Sequence, residues 1–116
     1  MNTVYSTLEP ARADIDKLGE PALLEFGTPW CGYCRAAQPL IAAAMANHQS
    51  LTHIKVADGS GRPLGRSFGV KLWPTLIFLK DGVEVSRLVR PSSSAQVNVA
   101  LAAIHPVDDR DQAAPS

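Results

Sequence analysis

The stretch EFGTPWCGYCRAAQP, Glu25 to Pro39, holds both cysteines of the chain, Cys31 and Cys34, two residues apart and directly after an apolar run. A pair at this spacing has three readings: a redox couple, half of a metal site, or ordinary core sulfur. Which one applies depends on what surrounds the stretch.

At 116 residues the chain fits one domain with a core large enough to need no covalent staples. Eleven basic and eleven acidic side chains cancel, and a neutral surface argues against nucleic acid or an anionic membrane as partner. The N-terminal segment MNTVYSTLEPARADIDKLGE has neither a basic n-region nor an apolar h-region, and no apolar run approaches the roughly 18 residues of a membrane span. The expectation is a soluble, cytoplasmic monomer, unless a leader has been removed. In a reducing compartment structural disulfides are rare, and a C-x-x-C loop is too short to constrain much of the unfolded chain. Chemistry or zinc therefore remains.

Outward from the cysteines, the elements can be placed in order. Upstream, PALLEF reads as a strand apolar on both faces except at Glu25, as in a central strand of a covered sheet. Before it, Ala11, Ile15 and Leu18 recur at helical spacing behind Pro10, with Gly19 expected at the C′ position. A short first strand near Val4 and Tyr5 is an open possibility. Downstream, Arg35 to Asn47 predicts a helix with Leu40, Ile41, Ala44 and Met45 on one side and a backbone donor missing at Pro39. LTHIKVA predicts a short strand, and DGSGRPLGRSF at most a short helix with Leu64 and Phe68 inward. TLIFL predicts a buried strand turning through Asp81-Gly82 into VEVSRLV, whose polar alternation marks an edge. Ser93 and Gln96 read as a capping box opening a helix with Val97, Ala100, Leu101 and Ile104 on its inner face. The order α-β-α-β-α-β-β-α implies an α/β fold: a mixed central sheet of four to five strands with helices on both faces. The domain is placed at residues 1–105, with a polar, flexible tail over 106–116.

That order puts the cysteines at the carboxyl end of a strand, where sites in such sheets gather. Cys31 is expected at the N-terminal edge of the long helix, where unpaired N–H groups and the dipole favour a thiolate and draw the pKa down from about 8.5. Cys34, three residues on, is close enough for a disulfide and more shielded. Cys31 would then attack a substrate disulfide and Cys34 would resolve the mixed disulfide. Zinc is disfavoured, because a structural site needs four ligands and His48, His53 and His105 show no paired spacing with the cysteines. Trp30 is either a core aromatic or a wall of the site, and its turn-residue neighbours favour the wall. Gly32 and Tyr33 inside the motif set packing around the thiolate. Glu25 is expected behind the cysteines, at least partly buried, with a raised pKa that suits a general base for Cys34. The alternative is a strand-end Glu that reaches solvent or pairs with a lysine such as Lys55. Pro74, directly before a buried strand, must mark that strand's start, in a cis or a trans bond.

Taken together, LLEFGTPWCGYC, Pro39 eight residues past Cys31, WPTLIFLKDG and the closing helix resemble the thioredoxin family over residues 3 to 104. The resemblance implies a thioredoxin fold and a protein-disulfide reductase working through Cys31 and Cys34. It also implies a cis-proline at Pro74 beside them, with Trp73 offering its backbone to the substrate chain. Electrons would come from a flavin- and NADPH-dependent reductase, and the domain itself would hold no cofactor and no metal. The chain departs from the family pattern at several places. Tyr33 replaces the usual proline of C-G-P-C, Glu25 the usual Asp, and Gly27 an aromatic. Trp73 stands where Ile is common, and Arg90-Pro91 where the loop usually carries Gly, so Arg90 is expected to narrow or charge the substrate groove. A disulfide oxidase or isomerase is the second reading, and a non-redox binding module using Trp30, Trp73 and Arg90 the third.

Overall fold

Eight elements follow one another in the computed structural model, which describes residues 4–106: α1 (Arg12–Asp16), β1 (Ala22–Gly27), α2 (Gly32–Met45), β2 (Thr52–Ala57), α3 (Pro63–Ser67), β3 (Thr75–Lys80), β4 (Val83–Val89) and α4 (Ser94–Ile104). The strands form one mixed sheet in the order β2-β1-β3-β4. β1 runs parallel to β2 and antiparallel to β3, and β4 lies antiparallel at the edge. The expected tail falls outside the described residues, Pro106 apart.

Strand periodicity divides the core in two. All six residues of β1 are buried, as its apolar run requires of a central strand. Ala22, Leu24 and Phe26 point to one side, where Ile15 of α1 and Leu64 and Phe68 around α3 cover them. Leu23 points to the other, packed with Leu76 and Phe78 under Ile41 and Met45 of α2 and Leu101 and Ile104 of α4. By the same alternation Glu25 shares the face of Leu23, beneath α2. On β2, whose register pairs Leu23 with His53 and Glu25 with Lys55, the two polar side chains lie on that face as well. The sheet thus places three ionisable side chains under the helix that carries the cysteines.

Local chemistry explains the joins. Asp81 and Gly82 both have positive φ, 52° and 75°, the geometry of the primed two-residue hairpin that the Asp-Gly pair favours. A Cβ on Gly82 would run into the Asp16 carbonyl, so the end of α1 seats on this turn only because position 82 is bare. Ser93 Oγ accepts from the Gln96 N–H at 3.2 Å, while Gln96 Oε1 reaches back to the Ser92 N–H, one residue earlier than in the usual box.

Four details differ from the sequence reading. α1 ends at Asp16 because Leu18 N–H bonds tightly to the Ile15 carbonyl; Lys17 is the C-cap and Gly19 does not occupy C′. α2 begins three residues before Arg35 and ends at Met45, since Cys31 rather than a later residue caps it. Ala37 is buried on its inner face, and Leu40 only half-buried. No strand forms at Val4 and Tyr5; instead a single parallel bridge joins Ser6 to Val56, with Ser6 N–H on the Lys55 carbonyl and Ala57 N–H on the Ser6 carbonyl.

Candidate active site

Cys31 is the N-cap of α2, in extended backbone, and its Sγ accepts the Cys34 N–H at 3.2 Å. A sulfur at this place faces the N–H groups of the first helical turn, which have no partner within the helix. One turn into the helix, Cys34 is 1% exposed against 8% for Cys31. Both are free thiols. Burial, and then the hydrogen bond with Cys31, push the Cys34 thiol up to about 11. The outer sulfur therefore lies nearer solvent, and the inner one holds its proton more firmly than a free thiol.

Around Cys31 the structure brings together side chains from three loops and the first turn of α2. Trp30 and Tyr33 are exposed, at 70% and 60%. The Trp30 and Trp73 rings meet edge to face with centroids 5.7 Å apart, so Trp30 packs on Trp73 at the surface and is not a core aromatic. Trp73 is fixed from below by its indole N–H, which donates to Asp58 Oδ2 at 2.9 Å, and its bond to the buried Pro74 is cis. Gly32 is exposed, with open space where a side chain would be. Arg90 has φ 53°, a left-handed conformation that costs a non-glycine residue about 1 kcal/mol. Three contacts offset that cost. Its backbone N–H donates to the Pro74 carbonyl and its Nε to the Trp73 carbonyl, each at 2.9 Å, and its guanidinium lies 3.7 Å over the Tyr33 ring. Arg90 straps Trp73 to Tyr33, and the Trp73 carbonyl already accepts one donor from it.

Behind the pair, Glu25 is wholly buried and saturated with partners. Oε2 accepts from the Tyr5 hydroxyl at 2.8 Å and from Gln38 Nε2 at 3.0 Å, and Oε1 lies 2.8 Å from His53 Nε2. Lys55 Nζ stands 3.7 Å from Oε2 and donates to Gln38 Oε1 at 2.7 Å. The expected rise of the Glu25 pKa is corrected by this setting. Burial does push it up, but the His53 hydrogen bond, the Lys55 charge and the Gln38 donor outweigh burial and hold Glu25 below the ordinary carboxylate range. The setting favours its ionised form.

Tyr5, Gln38 and His53 complete this cluster and did not emerge from the sequence as site residues. The alternation of His53 and Lys55 with Ile54 and Val56 was a usable signal for a shared polar face. Tyr5 left none, because it lies 20 residues from Glu25 in the chain and is delivered by the isolated bridge at Ser6. Gly27 has a reason as well. A Cβ there would come within 2.7 Å of both Cys34 Sγ and the Tyr5 hydroxyl oxygen, so the bare position admits that hydroxyl beside the inner cysteine. Among the described residues no three His, Cys, Asp or Glu side chains group as metal ligands, and no helix is long and apolar enough to cross a membrane.

Comparison with known proteins agrees with this geometry. The family model described as Thioredoxin matches residues 3–103. A thioredoxin of Mycolicibacterium smegmatis is 31% identical over 96 residues, covering 80% of this chain and 86% of that protein. The match to protein disulfide-isomerase A2 of Pongo abelii, 45% identical over 67 residues, covers 53% of this chain and spans only 13% of that longer protein; a thioredoxin of Chlamydia muridarum, 43% identical over 68 residues, is spanned over 66% of its length. Among solved structures, thioredoxin 2 of Pseudomonas aeruginosa PAO1 in its reduced form superposes with a TM-score of 0.81 at 53% identity, covering 90% of this chain and 96% of that one.

Proposed function

We infer the activity from one premise: the chain belongs to the thioredoxin family. It is a thiol-disulfide oxidoreductase that reduces protein disulfides through Cys31 and Cys34. The observation that carries this reading is the asymmetry of the two sulfurs, one at a helix N-cap and nearer solvent, the other buried one turn on and holding its proton. Cys31 thiolate attacks a substrate disulfide and forms a mixed disulfide, releasing one substrate thiolate. Cys34 then attacks Cys31 Sγ, the second substrate sulfur leaves with the bonding pair, and the Cys31–Cys34 disulfide remains. Glu25 is the group toward which the Cys34 proton moves. Electrons return from a flavin- and NADPH-dependent reductase of the thioredoxin reductase kind, so the protein serves as a cytoplasmic, monomeric electron carrier in redox homeostasis without a bound cofactor of its own. The test is reduction of insulin disulfides by dithiothreitol, which the protein accelerates; no acceleration would sink the reading.

Trp30, Gly32, Tyr33, Trp73, Pro74 and Arg90 form the substrate-facing surface in this reading. Arg90 selects among substrates, because its strap must yield before an extended chain pairs fully with the Trp73 backbone. Arg90→Gly is therefore expected to broaden the client range, raising rates on a panel of protein disulfides unequally, most for acceptors that bring a positive charge to the groove. Equal rates for wild type and variant across the panel would refute it. Tyr33, in place of the usual proline, is the feature that favours a second reading, an oxidase or isomerase, which the reduction potential separates from the first.

A further inference from the structure

Reduction by the pair requires the proton of Cys34 to leave as its sulfur attacks, and the structure puts a hydroxyl between that sulfur and Glu25. Resting on the reading of Glu25 as the acceptor, we propose that Tyr5 is the proton relay of the resolving step, its hydroxyl taking the Cys34 proton while passing its own to Glu25 Oε2.

Four observations converge on this residue. The hydroxyl donates to Glu25 Oε2 at 2.8 Å. It stands beside Cys34 at the spot that Gly27 leaves bare: both the hydroxyl oxygen and Sγ lie 2.7 Å from where a Cβ on residue 27 would be. The ring is clamped, since Lys55 Nζ sits 4.2 Å from its centroid and the Ser6 bridge ties the next residue to β2. The other side chain linking the two groups, Gln38, gives its amide to Glu25 and to the Cys34 carbonyl, and an amide donates without readily exchanging its proton. A phenol is donor and acceptor at once, so it can pass a proton on while remaining neutral.

The direction of the step follows from the resting state. Burial, followed by the Glu25 charge, raises the Tyr5 pKa well above the ordinary phenol range, so Tyr5 does not ionise on its own. Cys34 holds its proton more firmly than Glu25 would. Transfer ahead of attack is therefore uphill, and the shift runs together with sulfur–sulfur bond formation. The Cys34 electron pair forms the bond to Cys31 Sγ, the Cys31–substrate bond breaks with its pair on the substrate sulfur, the Cys34 proton moves to Tyr5, and the Tyr5 proton moves to Glu25. Glu25 afterwards releases the proton toward the cavity of about 330 Å³ that Tyr5, Cys34, Arg35, Gln38 and Lys55 line.

The test uses the full chain and dithiobis(nitrobenzoate), which releases one coloured thiolate when Cys31 attacks and a second when Cys34 resolves. Tyr5→Phe keeps the ring and removes the hydroxyl. It is expected to slow the second release by about a hundredfold at neutral pH, the low end of the range for a lost proton-transfer group, and leave the first within about twofold. The slowed step should then climb about tenfold per pH unit, because it now waits for preformed thiolate. Gly27→Ala, whose Cβ would press on both the hydroxyl and Cys34 Sγ, is expected to slow the same step. A wild-type rate of second release in Tyr5→Phe overturns the relay, as does an equal loss in both steps. Glu25→Gln separates the two ideas: if it slows resolution while Tyr5→Phe does not, the carboxylate reading stands and the Tyr5 path falls, and if neither slows it, both fall.

Discussion

Cys31→Ser is expected to reduce insulin-disulfide reduction to the rate of dithiothreitol alone, whereas Cys34→Ser should halt after the first half of the cycle with substrate attached. The difference follows from position. Cys31 supplies the accessible sulfur, at 8% exposure and facing the N–H groups of α2, and no other described cysteine can replace it, because Cys34 is 1% exposed beneath it. Serine at position 31 keeps the N-cap hydrogen bond and so preserves the helix start while removing the nucleophile. Serine at position 34 leaves the nucleophile working and removes the group that releases it. Mass spectrometry of Cys34→Ser after exposure to a disulfide substrate should show the mass of one covalently attached substrate thiol. Equal acceleration by Cys31→Ser, or trapping at Cys34 in its place, would contradict the assignment of roles.

Glu25→Ala is expected to cost about 3–5 kcal/mol of stability, the usual penalty for breaking a buried charge pair from one side. Lys55 would remain, 1% exposed, with its ammonium on Gln38 and no other ion pair among the described residues, and the Tyr5 hydroxyl and His53 Nε2 would lose this acceptor. Glu25→Gln, which keeps acceptor oxygen and shape, should lose less. The pH dependence has a definite sign. The folded pKa of Glu25 is lowered, so its contribution is fully present above the ordinary carboxylate value and is lost as pH falls through that value toward the folded one. Urea denaturation at several pH values should show wild type losing stability across that acid window more steeply than Glu25→Gln. A loss below about 1 kcal/mol for Glu25→Ala at neutral pH would mean the cluster is not the charged network described here.

Local signals carried most of the architecture. The apolar run at Ala22–Phe26, the Asp81-Gly82 turn with both φ values positive, and the Ser93 cap each rest on interactions within a few residues, which a sequence displays directly. The cysteine pair was legible for the same reason: N-cap and first turn are neighbours in the chain. What lay beyond reach depended on long-range placement. Whether His53 and Lys55 faced α2 or α1 was set by the register of β2 on β1, and a six-residue strand does not announce its face. Tyr5 arrived through one bridge rather than a strand. The Glu25 pKa came out opposite to expectation because burial alone was visible in an apolar strand, while the three partners that outweigh it come from β2 and α2. Gly27 read as a missing aromatic; in the fold it is the space the Tyr5 hydroxyl requires.

Whether the Cys31–Cys34 couple works as a reductant is tested most directly by its equilibrium with glutathione. Equilibrating the protein in buffers of graded reduced and oxidised glutathione, and counting free thiols, yields the potential of the pair. A value of about −270 mV is expected, as for a reductant of protein disulfides, whereas a value of about −180 to −120 mV would contradict that role and identify an isomerase or oxidant.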